Sequence, residues 1–122
     1  MQKAGTLDKI SLEGVRCEAI VGVLPEERVR RRPIIIDIHC FTDVARASHT
    51  DDIVHTIDYA KVQDAVFRIV RNTSFHLIET LAEAIASSVL DFPGVLFVNV
   101  KLTKPKAIPD CDAVSVEIRR KR

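Results

Sequence analysis

Two helical hydrophobic patterns follow one another in the middle of this chain, and they narrow the folds open to it. Val62, Ala65, Val66, Ile69 and Val70 recur at i, i+3, i+4, i+7 and i+8, the apolar stripe of an amphipathic helix. Asp58 precedes them, and its carboxylate suits the N-cap, where it accepts the orphan N–H groups of the first turn. Asn72-Thr73-Ser74 ends that helix. Ile78, Leu81, Ala82, Ile85 and Val89 then define a second helix of similar length, closed near Asp91-Phe92-Pro93-Gly94.

The segments on either side of the helices alternate with the period of strands. From Asp8 to Val21 the apolar residues Ile10, Leu12, Val15, Cys17, Ala19 and Val21 change phase at Glu13–Gly14, which predicts a bulge or turn inside strand 1. Gly22-Val23-Leu24-Pro25-Glu26-Glu27 reads as a loop, and the basic run Arg28, Arg30–Arg32 leads from it into Pro33. Ile34–Phe41 is a second strand, apolar on both faces, with Asp37 and His39 on one parity. Thr42–Ile57 is polar and irregular, with room for a helical turn over Asp43–Ser48.

Beyond the helices, Val98, Val100, Leu102 and Lys104 share one parity, so an apolar strand face ends in an ammonium group and is stopped by Pro105. After a loop over Ala107–Asp112, Val114, Val116 and Ile118 mark a fourth strand before the basic tail Arg119–Arg122. The order is β-β-α-α-β-β. This is an α+β fold, a four-stranded antiparallel sheet with two long helices on one face, in a single domain over residues 1–122. Two helices cover only one face of such a sheet, and the apolar strands imply that an edge and the other face are closed by self-assembly.

Composition excludes several classes of function. The 122 residues carry a net charge of +1, so no global charge argues for nucleic acid or a membrane surface. No apolar run approaches the roughly 20 residues needed to span a bilayer. Met1–Thr6 lacks a signal-peptide pattern, and Cys17, Cys40 and Cys111 are odd in number and widely spaced, which fits reduced thiols in the cytoplasm. The four histidines never take zinc-motif spacing, so no metal is expected.

Four positions could carry chemistry, and each also has a plain structural reading. Lys104 is a solvated strand-end charge or a cation aimed into a site. Glu79 lies in the opening turns of the second helix, at the flank of its apolar stripe, where the helix dipole favours a carboxylate. Tyr59 opens the first helix as a half-buried aromatic with a wet hydroxyl. Glu27 sits in the Gly/Pro-marked loop beside the arginines, and local reasoning does not separate it from Glu26. The arginines themselves read as a solvated approach to the strand or as a small anion site.

Taken in order, short motifs over Ile10–Ile118 resemble the dihydroneopterin aldolases of the tunnelling-fold (T-fold) group. They are Gly22-Val23-Leu24-Pro25-Glu26-Glu27, a strand ending at Asp37, and Ser48-His49-Thr50-Asp51-Asp52-Ile53. Ile57-Asp58-Tyr59, Phe75-His76-Leu77-Ile78-Glu79 with Ala82-Glu83, and Lys101-Leu102-Thr103-Lys104-Pro105 complete the series. The sequence departs from the common pattern at Val21, where many relatives carry His, at Asp58, often His, and at Lys106, where a small or polar residue is frequent.

The resemblance implies a T-fold assembled into a multimeric β-barrel, as rings of four or stacked eights with active sites between neighbours. It implies retro-aldol cleavage of 7,8-dihydroneopterin in folate biosynthesis, with epimerisation at C2′ as a possible side reaction, and no cofactor. Glu79 becomes the pterin anchor, a carboxylate accepting two parallel hydrogen bonds from the ring's amino group and adjacent N–H. Ile57, Leu77 and Ile78 line the ring pocket, and Tyr59 reaches the substrate from the neighbouring subunit. The spacing from Gly22 selects Glu27 over Glu26 for positioning the side-chain hydroxyls. Lys104 becomes the general acid/base. Rival readings are a dihydroneopterin-triphosphate 2′-epimerase, a non-catalytic pterin or purine binder on the same fold, and a plain structural assembly protein.

Overall fold

The computed structural model describes residues 7–122. Four strands, β1 (Asp8–Ala19), β2 (Arg32–Thr42), β3 (Phe97–Pro105) and β4 (Ala113–Lys121), form one antiparallel sheet in the order β1-β2-β3-β4. Two long helices, α3 (Tyr59–Asn72) and α4 (Ile78–Leu90), lie between the strand pairs. Two short ones, α1 (Pro25–Arg28) and α2 (Ala45–Thr50), precede them, with a 3₁₀ turn at Ile53–His55.

The helices start and stop for local reasons. Asp58 caps α3, its Oδ1 accepting the N–H groups of Ala60 at 3.1 Å and Lys61 at 3.4 Å. Val62, Val66 and Val70 of α3 and Leu81, Ala82, Ile85, Ala86 and Val89 of α4 are buried. They join Val15, Ile34, Ile36, Ile38, Cys40, Val98, Val100 and Leu102 in one core between the helices and one face of the sheet. Each fully buried aliphatic side chain there contributes about 1.5–3 kcal/mol.

Several boundaries differ from expectation. The phase change in β1 is a bulge between Leu12 and Val15, with Gly14 at φ +68° and its N–H donating to Asp37 Oδ1 at 2.8 Å. β2 runs from Arg32 to Thr42, so Asp37 lies in its middle rather than at a strand end, and β1 stops at Ala19 rather than Val21. The Gly22–Glu27 loop contains α1, because Pro25 at its first position is already set for a helix. The turn expected over Asp43–Ser48 runs over Ala45–Thr50.

β2 is buried on one side only: Ile34, Ile36, Ile38 and Cys40 are buried, while Ile35, Asp37, His39 and Phe41 are half-buried. The basic tail belongs largely to β4. Arg119 stacks on Phe41 and Phe97, Arg120 binds Glu83, and Arg122 donates to the carbonyls of Phe92 and Val95. Among the described residues no helix is long and apolar enough to cross a membrane.

Candidate active site

β3 delivers Lys104 by its pleat. Val98, Val100 and Leu102 are fully buried, and the next residue of that parity carries its stem along the core edge with its side chain only 16% exposed. Its Nζ donates to Glu27 Oε2 at 2.5 Å and to the Val21 carbonyl at 3.1 Å. An ammonium has three N–H donors, so one is left over.

Glu27 is fixed from the other side. Its Oε1 accepts the N–H of Leu24 at 3.1 Å, the reach-back half of a capping box on α1, while Leu24 has no side-chain acceptor to complete the other half. The carboxylate lies against Gly22, whose φ is +150°, and a Cβ added at Gly22 would overlap it. The hydrogen bond from Lys104 holds the Glu27 carboxyl below the usual carboxylate range, against a smaller opposing effect of burial. The N–H of Leu24 and the charges of Lys104 and Arg32 add to the lowering.

Both groups line a cavity of about 480 Å³, bounded also by Val21, Leu24, Arg30–Ile34 and Pro105–Ala107. Lys106 turns the chain out of that wall at φ +52°, with its N–H on the Asp112 carbonyl at 2.8 Å. A left-handed conformation is one that small or flexible residues take most readily, which fits the small or polar residue frequent at this position and makes the lysine here the exception.

The basic run divides in two. Arg28 donates to the carbonyls of Gly22 and Phe75 through Nη1, at 3.1 and 3.0 Å, and to that of Ser74 through Nη2, at 2.6 Å. The Gly22 N–H also donates to the Phe75 carbonyl, at 3.3 Å. Arg31 donates to Arg71 O at 2.9 Å and to Val70 O at 3.4 Å, covering the carbonyl end of α3. These two arginines are struts, a role that neither the solvated nor the anion-site reading anticipated.

The Arg28 strut ties the Gly22 loop to the segment entering α4, which carries Leu77, Ile78 and Glu79. Leu77 is exposed, Ile78 is half-buried, and Glu79 stands exposed in the first turn of α4. Ile57 is buried in the hydrophobic core, only 3% exposed. Tyr59 is 62% exposed and lines a different groove, with Leu12, Gly14, Gln63 and Phe67. A single chain thus brings Lys104 and Glu27 together and leaves Tyr59 and Ile57 apart from them. Sequence reasoning used Gly22 only as a spacing marker for Glu27 and missed that the bare Cα of the glycine is the seat of the carboxylate, a close approach that only the folded chain shows.

The chain matches the family model described as FolB: dihydroneopterin aldolase over residues 10–119. A dihydroneopterin aldolase of Methylorubrum extorquens is 38% identical over 94% of this chain and 91% of its own length. A FolB crystal structure from Vibrio cholerae superposes with a TM-score of 0.91 at 30% identity, covering 96% of this chain and 99% of that one. An Escherichia coli dihydroneopterin aldolase solved in complex with neopterin gives a TM-score of 0.84 at 28% identity, covering 93% and 98%. With the model spanning the bulged first strand through the fourth, and relatives matched nearly end to end, the chain belongs to the dihydroneopterin aldolase family.

Proposed function

We propose that the protein cleaves 7,8-dihydroneopterin by a retro-aldol reaction into 6-hydroxymethyl-7,8-dihydropterin and glycolaldehyde, in the biosynthesis of folate. Family membership supports the reaction, and the E. coli relative's complex with neopterin supports the ligand. The observation that carries the mechanism is the Lys104 ammonium, held by Glu27 and Val21 with one donor left over in a cavity wall.

In the reaction the 2′-hydroxyl loses its proton to the amine form of Lys104, directly or through a water. The C1′–C2′ bond breaks and its electron pair moves into the ring's C6=N5 imine, releasing glycolaldehyde. Protonation of C1′ then restores the imine and leaves the hydroxymethyl group. The ring is its own electron sink, so a lone proton-shuttling lysine suffices. Glu27 faces the positive charge that forms on Lys104 as it takes the proton, and it positions the side-chain hydroxyls.

Glu79 anchors the pterin through paired hydrogen bonds from its amino group and adjacent N–H, and Leu77 and Ile78 line the ring pocket; Ile57, whose side chain is in the core, borders it only through its main chain beside Tyr59. Tyr59 comes from a neighbouring subunit. Support for a shared site lies in Tyr59, Leu77, Ile53 and Val54, all exposed apolar or aromatic side chains, and in the sheet edges left open at β1 and β4. Rings of four, stacked as eight and closed through a β-barrel, would cover them. Three free thiols fit a cytoplasmic setting.

Incubation of the purified protein with 7,8-dihydroneopterin, with glycolaldehyde and 6-hydroxymethyl-7,8-dihydropterin measured, tests the reading. Stoichiometric release of the two is expected. Absence of aldehyde with epimerisation of dihydroneopterin triphosphate would transfer the protein to the epimerase reading.

A further inference from the structure

The cavity beside Lys104 is more basic than proton transfer requires. Its walls carry Arg30, Arg31, Arg32, Lys104 and Lys106 against Glu26 and Glu27. Lys104 and Glu27 neutralise each other, and Arg31 is committed to the carbonyls at the end of α3. Arg30, Arg32 and Lys106 remain against the exposed carboxylate of Glu26, and none of the three makes a side-chain hydrogen bond to protein among the described residues.

Arg32 is the informative member. It opens β2 opposite Ala19, and Pro33 follows it, so its backbone is fixed by the sheet. Its Nε is shielded from solvent, yet it meets no acceptor. An unsatisfied buried donor on a charged group is costly, and native proteins keep one chiefly where something else completes it. Arg32 lines the same cavity as the acid/base pair Lys104 and Glu27. A planar fork of donors matches the oxygens of a phosphate.

We propose that Arg32, assisted by Arg30, forms a subsite for a phosphate ester on the terminal carbon of the substrate's side chain, so that 7,8-dihydroneopterin 3′-phosphate is a substrate. The inference rests on the retro-aldol reading above. With the 2′-oxygen facing Lys104, the 3′-carbon is the next atom along the side chain, and the ester oxygen follows it away from the ring. That places the dianion on the side of the cavity away from the pterin. The chemistry is unchanged: C1′–C2′ breaks, its electrons enter C6=N5, C1′ is reprotonated, and the C3′–O–P linkage stays intact. The products are 6-hydroxymethyl-7,8-dihydropterin and glycolaldehyde phosphate. No co-reactant is consumed.

The test compares kcat/KM for the free triol and its 3′-phosphate in the full-length protein and in the Arg32→Gln and Arg30→Gln variants. The wild type should favour the phosphate ester by about ten- to a hundredfold, as charge-assisted hydrogen bonds to one group allow. Arg32→Gln should erase most of that preference through KM for the ester, and Arg30→Gln, at an exposed position that the fold does not need, should erode it. Equal losses on both substrates, or a wild type without preference, would overturn the subsite while leaving the aldolase reading intact. Failure of both substrates to yield an aldehyde would overturn the aldolase reading, and the subsite with it.

Discussion

Glu27 and Lys104 are 77 residues apart in sequence, and their charged atoms lie 2.5 Å apart. One stands in a one-turn helix and the other at the end of a central strand, so only the folded sheet brings them together. Lys104→Ala removes the proposed proton carrier while leaving the proposed pterin anchor Glu79 untouched. Turnover of 7,8-dihydroneopterin should fall by about 10²- to 10⁴-fold with pterin affinity largely kept. Lys101, three residues earlier on the same strand, is exposed on the opposite parity. Lys101→Ala should leave turnover within about twofold of wild type. Parallel steady-state kinetics and equilibrium pterin titration separate the two lysines, and equal losses would remove Lys104 from the chemistry.

The same pair makes stability depend on pH in a definite direction. Hydrogen bonding from Lys104, chief among the causes, lowers the Glu27 carboxyl from its ordinary 4.5 in the folded protein. The ionised carboxylate therefore contributes its full stabilisation above 4.5 and loses it as pH falls below that value, through the lowered folded pKa. Thermal melts of wild type and Glu27→Gln should differ by a constant amount between about pH 7 and about pH 5.5, and the difference should shrink as pH falls below 4.5 through the lowered folded pKa. A gap that stays the same throughout would mean that ionisation of Glu27 contributes nothing to the fold.

Gly22 is where backbone and chemistry meet. Its φ of +150° disfavours any side chain, and a Cβ would occupy the space of the Glu27 carboxylate. Gly22→Ala should cost about 1–3 kcal/mol of stability and also displace Glu27 from Lys104, lowering activity in the fraction that folds. Gly94 provides the comparison, since its φ of +90° is also positive but a Cβ there meets only Thr42 Oγ1, at 3.6 Å. Gly94→Ala should lose stability alone. Specific activity measured per folded molecule distinguishes the two, and a fully active Gly22→Ala protein would show that the glycine serves the turn only.

What could be read from the sequence followed the range of the interactions. The Glu13–Gly14 phase change, the Asp58 cap and the parity leading to Lys104 are local, and all three stand in the structure. Glu26 and Glu27 are equivalent by local rules. They are separated only by Gly22 beneath one of them and by a lysine 77 residues away. Arg28 and Arg31 looked like a basic patch because their acceptors are main-chain carbonyls of Ser74, Phe75, Val70 and Arg71, which no side-chain pattern reveals. Tyr59 and Ile57 are adjacent to Asp58 in the motif, yet one is exposed and the other buried, and neither approaches the Lys104 cavity within one chain.

That separation of Tyr59 from Lys104 yields the most discriminating test of a site shared between subunits. A chain carrying Lys104→Ala lacks the proposed proton carrier but keeps Tyr59, and a chain carrying Tyr59→Ala lacks the proposed aromatic wall but keeps Lys104. Each protein alone should be severely impaired, because every interfacial site would contain the defect. Mixed and reassembled at equal amounts, random association would build sites with an intact lysine from one chain and an intact tyrosine from its neighbour. About a quarter of the sites should be whole, and activity should recover to roughly that fraction of wild type. The measurement is aldehyde release after mild dissociation and reassembly, with sedimentation showing that hybrids have formed. Hybrids that form without any recovery would place Tyr59 outside the site that Lys104 serves.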